Sequence, residues 1–227
     1  MLTDKVAVIY GAGGAMGGAV ARAFAAEGAR LYLTGRRRAP LEIVAKEIAS
    51  VGGFAEVAEI DALDEQAVDR HLWYVTGMAG RIDISFNAVG LPGTDILSEP
   101  LTELDAGKFA LPIAAHTTSY FLTARLAARR MIPNKSGVIM TVTALHSRTG
   151  VPLAGGHGPA MAAKEVLTRE LSAELAPQGV RVVGLRSPSR RLTPLEQMAN
   201  VAAFMASDKA SGLTGTTVHM TMGSLDD

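Results

Sequence analysis

The stretch VAVIYGAGGAMGGAV, residues 6–20, decides the fold. An apolar run typical of a buried strand leads directly into a glycine-rich turn, and a helix of small residues follows. Glycines let the chain turn sharply and let backbone N–H groups approach a phosphate, which the positive end of the helix also attracts. The stretch therefore predicts a dinucleotide site, although such a turn can also be purely structural. Its candidate contact residues are Gly11, Gly13, Ala15, Met16 and Gly17.

Beyond this stretch, short β-branched runs alternate with longer helical segments. Strands are predicted at 5–10, 30–34, 54–60, 82–87, 137–143, 180–186 and 216–221. Helices are predicted at 15–27, 39–50, 64–78, 102–132 (broken near Pro112), 158–176 and 194–207. The alternation indicates an α/β fold, a Rossmann-like doubly wound parallel sheet of about seven strands with helices on both faces. We expect residues 1–227 to form a single dinucleotide-binding domain.

The composition narrows the classes of function. The formal net charge is zero, so neither nucleic acid nor an anionic membrane is expected as a partner. The sequence contains no run of 18 apolar residues, so we expect no membrane span, and the amino terminus does not resemble a signal peptide. With no cysteine, disulfides and thiolate metal sites are excluded, and we expect no metal and a cytoplasmic location.

The second strand ends in LYLTGRRR, residues 31–38. An acidic residue at this place suits the ribose 2′-hydroxyl of NAD, whereas arginine suits the 2′-phosphate of NADP. Gly35 stands at the acid's position, and Arg36 follows it. A guanidinium can donate two N–H groups to phosphate oxygens, so NADP is favoured over NAD. The alternative is that the three arginines only form a solvated start of the next helix.

The motifs together resemble those of the short-chain dehydrogenase/reductase family over nearly the whole chain. The glycine turn resembles TGxxxGxG with Tyr10 in place of the threonine, and FNAVG at 86–90 resembles NNAG. The resemblance implies an NAD(P)(H)-dependent oxidoreductase that converts carbonyls and alcohols or reduces an activated alkene, and a homodimer or homotetramer built through the two long helices. It also implies further cofactor contacts, which are Asp61, Ala62, Asn87, Ala88 and Gly90.

The family's catalytic residues match poorly. The resemblance implies a proton-transferring tyrosine and, four residues later, a lysine that lowers the tyrosine's pKa and holds the nicotinamide ribose. Lys164 fits the lysine, which puts Ala160 at the tyrosine's position. Ala144 falls at the family's serine, with the hydroxyls of Thr143 and Ser147 nearby as candidates.

An acid is then needed to replace the tyrosine. His116 falls where the family has an asparagine, and its ordinary pKa near 6.5 makes it the preferred candidate. His157 and Tyr120 are the alternatives, and each of the three could instead be structural. The substrate-covering segment expected near 187–193 is short or missing. Two functions remain open: an oxidoreductase of a small molecule with an atypical active site, or a catalytically decayed dinucleotide-binding or structural partner protein.

Overall fold

The computed structural model describes residues 1–91, 99–187 and 194–220. Its seven strands, all paired in parallel, form one sheet in the order β3-β2-β1-β4-β5-β6-β7. The strands are β1 (Val6–Tyr10), β2 (Arg30–Gly35), β3 (Phe54–Glu59), β4 (Ile84–Asn87), β5 (Gly137–Ala144), β6 (Val180–Ser187) and β7 (Thr216–His219). The predicted α/β, Rossmann-like doubly wound fold is confirmed.

Six helices of the described residues cover both faces of this sheet. They are α1 (Ala15–Ala26), α2 (Arg38–Ser50), α3 (Glu65–Ala79), α4 (Ala106–Met131), α5 (His157–Leu175) and α6 (Leu195–Ala206). One apolar core lies between the sheet and α1, α2 and α6, and a second lies under α3, α4 and α5. The central strands β1 and β4 are buried along their whole length, which explains the unbroken apolar sequence of β1.

The fourth helix differs from its prediction at both its start and its centre. It begins at Ala106 rather than at 102, because the carboxylate of Asp105 accepts hydrogen bonds from the N–H groups of Gly107 (2.8 Å) and Lys108 (3.1 Å). The predicted break near Pro112 is wrong, since the helix continues through it. A proline removes one helical hydrogen bond, and packing of the buried Pro112 ring stabilises the continuous helix.

The remaining predicted boundaries agree with the structure to within two residues, apart from β7, whose predicted last residue, 221, lies outside the described part. The substrate-covering segment predicted near 187–193 also lies outside it, except for Ser187 at the end of β6. Among the helices that the structure describes, none combines the length and apolar character that a bilayer crossing needs.

Candidate active site

The glycine turn between β1 and α1 brings backbone unusually close to backbone. Gly11 has a φ of +75°, and a Cβ there would lie 2.6 Å from the carbonyl oxygen of Ala88. A Cβ on Gly17 would collide with the Gly11 carbonyl oxygen. Only glycine fits these two positions, because any side chain would force apart β1, α1 and the segment after β4.

The amino-terminal end of α1 has no side-chain cap. Gly14 precedes the helix in extended backbone (φ −85°, ψ 164°), and no side chain accepts a hydrogen bond from the first turn. In α3, by contrast, Asp64 accepts one from the Ala67 N–H at 2.9 Å. The first turn of α1 therefore keeps its N–H groups and its partial positive charge for an anion.

A cavity of about 790 Å³ runs from this turn across the carboxyl ends of β1, β4 and β5. It lies where strand order reverses, the usual ligand position in a doubly wound sheet. The predicted site residues that line it are Gly11, Gly13, Ala15, Met16, Gly17, Arg36, Ala88, Gly90, His116, Thr143 and Lys164. His157, named as an alternative acid, also lines it, and so do residues that were not predicted, among them Gly14, Arg37, Pro40, Val89, Val142 and Met161.

Four predicted residues do not line the cavity. The exposed Asp61 accepts a hydrogen bond from the Leu63 N–H at 3.0 Å, and Ala62 is buried in the core. The Asn87 amide donates to the Thr123 hydroxyl oxygen at 3.0 Å, so it ties β4 to α4. Ser147 lies deeper, in a buried network described below. The glycine turn fits a dinucleotide pyrophosphate, since the uncapped N–H groups of the first turn of α1 border the cavity.

Lys164 lies at the far end of the cavity and is only 1% exposed. Its ammonium donates to the carbonyl oxygen of Val142 at 2.8 Å and lies 5.7 Å from the centre of the Tyr120 ring. Burial lowers the pKa of this amine from 10.5 to about 7. The amine can therefore exchange a proton near neutral pH at the wall of the cavity.

Three imidazole rings stand together beside this lysine. The His157 ring centre is 5.5 Å from that of His116 and 5.1 Å from that of His146, and both pairs meet edge to face. Burial lowers the pKa of His116 to about 3, with Lys164 and His157 acting in the same direction. Burial, followed by His146 and Lys164, also lowers the pKa of His157. Since a pKa of about 3 leaves His116 uncharged at neutral pH, its predicted role as acid is poorly supported.

Ala160 and Tyr120 do not contribute to the cavity. The Ala160 side chain is fully buried in the core. The Tyr120 hydroxyl lies 3.1 Å from the Thr168 hydroxyl, and burial raises the pKa of Tyr120 far above its usual value. Tyr120 is therefore a structural residue, and the last tyrosine of the sequence supplies no proton to the site.

The predicted hydroxyls of Thr143 and Ser147 are engaged by a buried carboxylate. Both donate to Oε1 of Glu165, at 2.9 Å and 2.6 Å, and Arg186 donates to both of its carboxylate oxygens at 2.8 Å and 2.7 Å. Burial would raise the pKa of Glu165, but hydrogen bonds from Arg186, Ser147 and Thr143 and the arginine's charge together hold it below its usual value. These contacts fix α5 against β5 and β6 and leave neither hydroxyl as the acid for a substrate.

Replacing Lys164 by methionine is expected to stabilise the protein at neutral pH. The lysine's pKa is about 7 when folded and 10.5 when unfolded, so between these values the unfolded chain binds more protons and wild-type stability rises with pH. Each pKa unit corresponds to about 1.4 kcal/mol, and the lost bond to Val142 offsets about 1 kcal/mol, which leaves a gain on the order of 3–4 kcal/mol at pH 7.

Urea unfolding from pH 6 to pH 10 measures this effect. The free energy of unfolding of wild type should approach that of Lys164→Met as pH rises. The exposed Lys46 on α2 provides the matched control, because Lys46→Met should shift stability by the same small amount at every pH. A wild-type stability that stays flat between pH 7 and pH 10 would contradict an uncharged buried amine.

Sequence reasoning missed the partners that reach the site from elsewhere in the chain. Val142 accepts a hydrogen bond from Lys164 through its backbone carbonyl oxygen, so the identity of its side chain could not reveal this contact. Glu165 stands directly after Lys164 in the sequence and could have been noticed as an acidic residue on the buried side of a helix. Arg186, from β6, could be recognised as its partner only once the strand pairing is known.

Comparisons with known proteins agree with this geometry. The family model of the short chain dehydrogenases matches residues 5–202. An uncharacterized oxidoreductase of Mycobacterium tuberculosis is 29% identical over 248 residues, which cover 98% of this chain and 92% of that protein. The structure of an NAD+-bound xylitol dehydrogenase superposes with a TM-score of 0.91 at 23% identity, covering 98% of this chain and 99% of the other.

A metagenomic short-chain oxidoreductase in complex with NADP superposes with a TM-score of 0.87 at 27% identity, covering 97% of this chain and 98% of the other. The family match spans most of the chain, and it includes the glycine turn, the cavity and Lys164. The chain therefore belongs to the short-chain dehydrogenase family of oxidoreductases.

Proposed function

We propose that the protein is an NADP(H)-dependent oxidoreductase that acts on a small organic carbonyl, alcohol or activated alkene. The observation that carries this proposal is one continuous cavity, which joins the glycine cradle at one end to Lys164 and the imidazole cluster at the other. Bound there, the nicotinamide cofactor would supply hydride transfer. The chain's own residues would position the cofactor, exclude water and move the proton.

Arginine side chains support NADP as the cofactor. Arg36 and Arg37 line the cavity beyond the end of β2, both exposed, and Gly35 leaves no carboxylate at the strand end. A 2′-phosphate there would meet two guanidinium groups, whereas a 2′-hydroxyl would lack the acid that usually binds it. The two similar structures carry NAD+ and NADP respectively, so the preference rests on this chain's residues.

The substrate end of the cavity favours a neutral or anionic substrate. Its titratable lining residues among those described are Lys164, His116 and His157, and no carboxylate lines it there. The amine of Lys164, fixed by the Val142 carbonyl, would donate to the nicotinamide ribose. Apolar walls from Met161 and Val142 would keep water from the reacting carbon.

A decayed dinucleotide-binding protein is the second candidate. The Thr143 and Ser147 hydroxyls bind Glu165, and Ala144 offers no hydroxyl to polarise a carbonyl. Such a protein would bind the cofactor tightly and leave it unreacted.

We also propose that the protein forms a homo-oligomer. Leu111 and Phe121 on α4 and Val166 on α5 are exposed apolar residues, and they lie on the helices that are expected to pair. Light scattering would test this proposal.

A substrate panel distinguishes the two candidates. We expect NADPH consumption with at least one member of a panel of aldehydes, ketones and enones, or NADP+ reduction with the corresponding alcohols. The expected rate exceeds that of a control without enzyme by at least about 100-fold, the lower end of what general acid–base help supplies. Tight NADPH binding with no turnover on any panel member would overturn the oxidoreductase and favour the binding protein.

A further inference from the structure

The first two turns of α5 line the cavity through His157, Met161 and Lys164. Met161 lies about one helical turn beyond His157, and Lys164 lies about two turns beyond it. Ala160 lies on the same face, between His157 and Lys164, but its buried methyl group does not line the cavity and carries no proton. Among the residues of α5 that line the cavity, the titratable ones are therefore His157 and Lys164.

We propose that His157 is the proton-transferring catalytic residue of this site, about two turns before Lys164 on the same helix. The inference rests on the proposed oxidoreductase function. It assigns to an imidazole the proton transfer that Ala160 cannot perform.

The surroundings of His157 are defined from every side. His116 faces it from α4, His146 from the 3-10 turn after β5, and Lys164 from α5 itself. Arg186 on β6 and Glu165 on α5 are bonded to each other. Unlike His116, the half-buried His157 reaches both the cavity and solvent, so it can exchange its proton with bulk water.

These surroundings make His157 a base at neutral pH. Burial and the neighbouring His146 and Lys164 lower its pKa below 6.5, and its place as the first residue of α5 exposes it to the positive end of that helix. Its neutral imidazole then has a lone pair free for a substrate hydroxyl. A neutral imidazole is the form that alcohol oxidation requires, and the rate of carbonyl reduction, which requires the imidazolium, should increase as pH falls.

The oxidation balances with these groups and the cofactor alone. The substrate O–H bond breaks and its proton goes to the His157 imidazole, while the C–H bond breaks and a hydride goes to the oxidised nicotinamide. The alcohol becomes a carbonyl, the nicotinamide is reduced, and His157 passes its proton to solvent. Reduction is the same step in reverse, with imidazolium as the acid.

The first test is His157→Phe, which keeps a ring and removes the proton carrier. We expect kcat to fall by about 10²–10⁴-fold, while the NADPH dissociation constant measured by calorimetry stays within about threefold. His71→Gln is the matched control: it removes an imidazole on α3, outside the cavity, and should leave both values near wild type.

The second test uses pH and a readout that needs no turnover. Alcohol oxidation by wild type should rise with pH to a plateau reached near neutrality, and His157→Tyr should move that rise to higher pH, toward the ordinary tyrosine pKa near 10. In NMR titrations of the cofactor-free protein, the pKa of His157 should lie below 6.5 and should rise in Lys164→Met, because a positive charge is removed.

Each outcome decides the assignment. If wild type turns over and His157→Phe stays within about fivefold of it, the assignment to His157 is overturned and the oxidoreductase stands. If wild type binds NADPH without turnover, the proposed function fails.

Discussion

Gly14→Asp is expected to abolish nucleotide binding while leaving the fold intact. Gly14 is exposed and its backbone is extended, so aspartate can adopt its conformation; a Cβ there lies 3.3 Å from the Gly11 carbonyl oxygen and needs only a small adjustment. Aspartate is among the best residues at a helix N-cap. Its carboxylate would accept from the first-turn N–H groups of α1 and repel a pyrophosphate at the same place.

Like charges in contact cost several kcal/mol, so NADPH should bind at least about 100-fold more weakly to Gly14→Asp. Calorimetry measures the affinity, and thermal unfolding should show unchanged or slightly raised stability. Gly14→Asn is the matched control, with the same size and capping ability but no charge, and it should lose about tenfold. If Gly14→Asp binds NADPH within about fivefold of wild type, the pyrophosphate does not lie on α1.

Arg186→Met should destabilise the protein by about 3–5 kcal/mol at pH 7.5, the usual cost of leaving one partner of a buried ion pair alone. Arg186 is 2% exposed and Glu165 is 5% exposed, so neither can reach bulk water. Without the guanidinium, the Glu165 carboxylate would keep only the Thr143 and Ser147 hydroxyls as donors. Urea unfolding measures the loss.

The pH dependence identifies the mechanism of this loss. Burial would now raise the Glu165 pKa above its unfolded value, so the carboxyl takes up a proton as pH falls and the deficit should shrink toward pH 5. The surface pair of Arg38 and Glu42 on α2 supplies the control, since Arg38→Met should cost under about 1 kcal/mol. If Arg186→Met lost no more stability than Arg38→Met, the buried network would not hold α5 in place.

The fold could be predicted because its signals are local. A buried parallel strand such as β1 appears as an unbroken apolar run, and the glycine turn restricts what can follow β1. The expected break at Pro112 was wrong because a proline's local effect was outweighed by tertiary packing along α4. The start of that helix depended on Asp105 as a cap, a signal that was present in the sequence but was overlooked.

The site was less predictable because its geometry depends on helix orientation. The first turns of α5 read HGPAMAAK, residues 157–164, where small residues give little amphipathic pattern to show which face meets the cavity. His116 and Lys164 do line the cavity, as expected, but burial leaves His116 a poor acid. Ser147 was misread because Glu165, its acceptor, comes from another element.

The most direct test of the account is calorimetric titration of the wild-type protein, freed of bound nucleotide, with NADPH and with NADH side by side. The glycine cradle and the two arginines beyond β2 predict tight binding of NADPH and clearly weaker binding of NADH. Equal affinities would contradict the role of Arg36, and binding of neither would contradict the central claim that this cavity holds a nicotinamide dinucleotide.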